Sequence, residues 1–73
     1  MCAAVDRAAL ASNIRAARNA ARMTQDEAAD ASNMQSAVYS RIERGEVDPR
    51  VSSLLKIASG LGVEPGDLLR DVG

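Results

Sequence analysis

Histidine, tryptophan and phenylalanine are missing from this 73-residue chain, and cysteine and tyrosine occur once each, as Cys2 and Tyr39. Without histidine neither the usual zinc-ligand sets nor a Ser/His/Asp triad can be assembled, and one cysteine cannot close an internal disulfide. A single aromatic residue makes no platform for stacking unpaired bases, which disfavours the RNA-binding sheet and OB-type folds. No apolar run approaches the roughly 20 residues that cross a bilayer, and the amino terminus lacks the charged-then-apolar order of a signal peptide. The expectation is a soluble cytoplasmic protein without metal, cofactor, small-molecule ligand or membrane partner. Positive charge is not in excess either, since nine basic residues against ten acidic ones leave a net charge of -1.

What is present is a helix-forming, globular composition. Hydrophobic residues make up 47% and charged ones 26%, which favours one folded domain over residues 1–73 and leaves little room for a water-excluding active site. Fourteen alanines, most of them before position 38, and few β-branched runs predict an all-α chain.

Five helices follow from the pattern. Leu10, Ile14, Ala17 and Ala21 recur at helical spacing, so helix one should run from about Asp6 to Arg22 behind a narrow, mostly alanine stripe that needs close partners. Thr24-Gln25-Asp26-Glu27 has the form of a capping box opening a short helix two at Gln25. Ser32 and Asn33 end it, asparagine being one of the few residues comfortable at positive φ. Helix three spans about Gln35 to Arg44 and is closed by Gly45. After an aperiodic linker, 46–50, helix four runs over Val51–Leu61. Its apolar positions Val51, Leu54, Leu55, Ile57, Ala58 and Leu61 predict burial on two sides. Gly62 ends it, and Pro65 opens a fifth helix expected to reach Val72.

Two short helices joined by a tight turn, about 24–45, describe a helix-turn-helix, whose second helix enters the major groove. At about 100° per residue, with Ser36 at zero, Ser40, Arg44, Ala37 and Arg41 fall between 0° and roughly 140° on helix three. Val38, Ile42 and Tyr39 fall between about 200° and 300°, which predicts one hydrogen-bonding face and one core face. Small residues edged by arginine suit base edges, because arginine pairs bidentately with guanine. Spacing alone is equally consistent with an ordinary solvated helix surface.

The order Thr24-Gln25-Asp26-Glu27-Ala28-Ala29, Asn33-Met34, Tyr39-Ser40-Arg41-Ile42-Glu43-Arg44-Gly45, Pro49, Leu54-Leu55-Lys56-Ile57-Ala58 and Leu61-Gly62-Val63 strongly resembles the lambda repressor and Cro-like helix-turn-helix family, the XRE-type transcriptional regulators. The resemblance spans roughly residues 7 to 72 and implies a five-helix domain that binds double-stranded operator DNA as a homodimer. It makes Gln25 a phosphate contact, puts Ser36, Ala37 and Arg41 where bases are read, and puts Ser40 and Arg44 against backbone or neighbouring bases. Gln35 stands at the helix-three N-cap region, where the family commonly has serine or threonine, and is expected to cap poorly and reach a phosphate. It also suggests that Arg18 and Glu43, both bordering apolar stripes, pair as a structural salt bridge. Arg22 departs from a common glycine, and Arg50 from a common serine.

Arg15 and Arg22 share the outer face of helix one, near the DNA backbone or serving solubility. The acidity lies towards the carboxyl terminus: residues 1–45 carry six arginines against five carboxylates, and residues 46–73 three basic groups against five acidic ones. A local arginine-edged face is what phosphate affinity requires. Leu61 and Leu68 are expected in the core, with Leu69 and Val72 as the dimer surface. The competing reading is a protein-interaction module on the same fold, an antitoxin-like or anti-repressor partner, whereas the lack of histidine and of any glycine-rich phosphate loop excludes the enzyme classes considered.

Overall fold

The computed structural model describes residues 6–72; Cys2 lies outside them. Helices α1 (Arg7–Ala20), α2 (Gln25–Ala31), α3 (Ser36–Glu43), α4 (Val51–Leu61) and α5 (Pro65–Leu68) follow in order, with no strand among the described residues.

Local chemistry sets the helix ends. Asp6 accepts from the Ala9 amide at 3.0 Å to start α1. The capping box of α2 is complete, with Thr24 Oγ1 accepting from the Glu27 amide at 3.1 Å and the Glu27 carboxylate from the Thr24 amide at 2.8 Å. Four helices stop in one way: a residue at positive φ turns the chain, and the next amide donates to the carbonyl five residues back. The turning residues are Arg22 (φ 58), Asn33 (φ 54), Gly45 (φ 73) and Gly62 (φ 72). The closing bonds run from Met23 to Arg18, Met34 to Ala29, Glu46 to Arg41 and Val63 to Ala58. Arg22 holds this conformation without glycine's freedom, at a cost of roughly 1–2 kcal/mol. Helix α1 accordingly ends at Ala20, two residues before the expected stop.

The core gathers Leu10, Ile14, Ala28, Ala29, Tyr39, Ile42, Ile57, Ala58, Leu61, Leu68 and Val72. Fully buried Ile14, Ile57 and Leu68 each contribute roughly 1.5–3 kcal/mol by leaving water. The alanine stripe admits close neighbours, and α4 approaches α2 nearest at Gly60. A Cβ there would lie 2.8 Å from the Ala31 carbonyl and the Ser32 nitrogen.

Three expectations change in the carboxyl-terminal part. Helix α4 packs on α2 and α5 and is covered on one side only, leaving Val51 71% and Leu55 51% exposed. Helix α5 stops at Leu68, and Asp71 at φ 59 folds the following turn back onto α1. There Asn13 Nδ2 donates to the carbonyls of Leu68 (3.0 Å) and Arg70 (2.8 Å), and the Asp6 amide donates to the Val72 carbonyl at 2.8 Å. Val72 is thereby drawn into the core, so its expected place on a dimer surface is corrected, while Leu69 remains 47% exposed.

Candidate nucleic-acid interface

The turn Ser32–Asn33–Met34, fixed by the left-handed Asn33, sets α3 against α2. Tyr39, Ile42 and Glu43 face inward from α3, whereas Ser36, Ala37, Val38, Arg41 and Arg44 are exposed and Ser40 is half-buried. Gln35 occupies the N-cap without a side-chain cap bond, as its residue type predicts, and stays exposed. The expected polar face therefore exists, but Val38 is not in the core. At about 200° it stood at the edge of the apolar arc, and no neighbouring element covers that edge.

What holds α3 in place is a buried charge. The Glu43 side chain is wholly inaccessible, and it accepts from Arg18 Nε at 2.6 Å, Arg18 Nη2 at 3.2 Å and Gln25 Nε2 at 3.1 Å. Arg18 also donates to the Met23 carbonyl at 3.0 Å, so one guanidinium ties α1, the α1–α2 turn and α3 together. Arg15, expected on the outer face of α1, donates to the Glu43 backbone carbonyl and satisfies the carboxyl end of α3. Burial alone would raise the pKa of Glu43, but the hydrogen bonds from Arg18 and Gln25, with the nearby Tyr39 hydroxyl, outweigh it and hold the carboxyl below its ordinary value. The bond to Glu43 likewise raises Arg18. Burial pushes the Tyr39 hydroxyl far up, so it stays protonated. That hydroxyl makes no hydrogen bond of regular geometry, yet it lies close enough to favour the charged carboxylate.

Spacing in the sequence gives no sign of two features. Gln25 spends one amide donor on Glu43, which joins the start of α2 to the inner face of α3. Arg44 is paired with Glu46 at 2.8 Å, and Arg7 with Asp48 at 3.6 Å, so the acidic linker neutralises part of the arginine edge. Among the described residues Arg41 is in no ion pair, which leaves it the free cation of the α3 surface. These described residues also hold no cluster of metal-ligating side chains and no helix long and apolar enough to cross a membrane.

Comparison with known proteins agrees with this geometry. The Helix-turn-helix family model HTH_3 matches residues 14–68. The restriction-modification controller protein C.AhdI from Aeromonas hydrophila superposes with a TM-score of 0.83 at 27% identity, over 86% of this chain and 96% of that one. The clp gene regulator ClgR from C. glutamicum gives 0.82 at 28%, over 92% and 87%. A hypothetical transcription factor from Neisseria, NHTF, gives 0.83 at 30%, over 94% and 85%. No curated protein matches the chain significantly. A helix-turn-helix held by a buried ion pair, with a polar outward face on its second helix and regulators as its structural neighbours, places the chain in the HTH_3 helix-turn-helix family as a DNA-binding, non-enzymatic transcription regulator.

Proposed function

We propose that this protein is a sequence-specific repressor that binds a pseudo-palindromic operator as a homodimer, with α3 in the major groove. The observation that carries the reading is the exposed face of α3, where unpaired Arg41 stands beside small Ser36 and Ala37 on a helix anchored from behind. In this reading Arg41, Ser36 and Ala37 meet base edges, and Gln25, Gln35, Ser40 and Arg44 position the backbone. Occupying an operator that overlaps a promoter is sufficient for repression. One eight-residue helix offers few contacts, and two copies spaced about 34–36 Å apart double them on one face of the duplex. Exposed Leu69 is the dimer contact we assign.

Selection from a random duplex pool, followed by binding titrations, tests this. Arg41→Ala should lose roughly 1–3 kcal/mol of discrimination at one base position, whereas Gln25→Ala should weaken all sequences alike. Equal loss on every sequence for both variants would overturn the assignment of Arg41 to base reading. In sedimentation, Leu69→Asp should shift dimer to monomer, and an unchanged dimer would remove Leu69 from the interface.

A further inference from the structure

Val38 is 45% exposed in the middle of α3, with Ala37 beside it and Arg41 three residues on. Neither the core nor helix formation explains it, since the side chain is not packed away and valine forms helices less readily than alanine. Its setting is also unlike a protein-docking patch. Among the described residues the other large exposed apolar side chains, Val51, Leu55 and Leu69, lie on α4 and after α5, so Val38 is the one such side chain on α3, three residues from the unpaired Arg41. Residues three apart on a helix are neighbours, so Val38 and Arg41 reach one strip of whatever α3 faces. The major-groove edge of DNA presents such a strip: guanine offers two acceptors to arginine, and thymine offers a C5-methyl group to an apolar side chain.

We propose that Val38 is a specificity-determining residue that reads the C5-methyl of a thymine adjacent to the base read by Arg41. The assignment rests on α3 being the helix in the major groove. Each half-site of the operator then carries a thymine whose methyl group, and not its hydrogen-bonding pattern, is recognised.

Deoxyuridine differs from thymidine only by that methyl, which makes the test direct. The probe is the duplex selected by the wild-type chain from a random pool, with each thymine replaced in turn by deoxyuridine. Wild type should bind about fourfold more weakly per half-site at one thymine, the worth of a single buried methyl group. Val38→Ala should be indifferent to that replacement while keeping the preference set by Arg41 and an unchanged thermal melt. Val38→Thr, which keeps the shape but exchanges a methyl for a hydroxyl, should show a reduced penalty. The proposal is overturned if wild type tolerates deoxyuridine at every position, if Val38→Ala keeps the full penalty, or if no thymine adjoins the Arg41-dependent base. Failure to select any sequence would instead overturn the major-groove reading on which it rests.

Discussion

Helices α3 and α4 each bury three side chains, but different forces hold them. Tyr39, Ile42 and Glu43 anchor α3, and Ile57, Ala58 and Leu61 anchor α4. Behind α3 the contacts are directional, with Arg18 and Gln25 converging on one carboxylate and Arg15 on the backbone carbonyl of the same residue. Behind α4 the contact is steric, with Gly60 letting the helix lie against the backbone of Ala31 and Ser32. Apolar packing fixes how near a helix comes and tolerates small rotations. A bidentate ion pair also fixes its rotation, which matters for the proposal that the opposite face meets base edges in register.

The largest expected effect breaks the directional anchor. Arg18→Met leaves the Glu43 charge buried with Gln25 alone as a side-chain donor, and chemical denaturation should show a loss of about 3–5 kcal/mol. Adding Glu43→Leu should restore most of that stability but not tight operator binding, because apolar replacements no longer set the rotation of α3. If the double variant binds DNA like wild type, the ion pair has no orienting role. The same anchor predicts a pH dependence. The folded pKa of Glu43 lies below its unfolded value of about 4.3, so its contribution is complete above that value and is lost as pH falls through the folded one. Acid unfolding should therefore be steeper in wild type than in Glu43→Gln, and parallel profiles would remove Glu43 as the acid-sensitive group.

Gly60→Ala tests the steric anchor. Its Cβ meets backbone atoms that cannot rotate away, and a loss of about 2–3 kcal/mol is expected. No titratable side chain is buried on α4, so this loss should not vary between pH 4 and 7. A pH-dependent loss would show that the two anchors are coupled. The smallest effect concerns the rim of the reading face. Glu46→Gln releases Arg44 from its exposed partner, and affinity for duplex DNA should rise about twofold to fivefold at low salt, with the gain fading as salt screens both partners. No gain in an Arg44→Ala background is the accompanying expectation, and an equal gain there would attribute the effect to general repulsion by Glu46.

Much of the scaffold is legible in the sequence because it is decided within a few residues. Thr24 and Glu27 cap each other, and Asn33, Gly45 and Gly62 take the left-handed turns that their types favour. The all-α class and the inward places of Ile14, Ile42 and Leu68 follow from composition and helical period. The Arg18–Glu43 pairing entered through family resemblance, since residues 25 apart carry no local signal of contact. Spacing also fails at stripe edges. It puts Val38 at the margin of the apolar arc and gives α4 two apolar sides, while burial depends on which elements arrive beside them.

The sequence by itself determined the five helices, the ends of α2, α3 and α4 to within a residue and the polar strip of α3, since capping, turn chemistry and the 3.6-residue period act over one or two turns. Only the tertiary structure decided which edges are covered. It took Val72 into the core, left Val38 and Leu69 in solvent, turned Arg15 towards Glu43 and paired Arg44 with Glu46. These outcomes depend on where neighbouring chain segments lie, and that position is set by the packing of all five helices together.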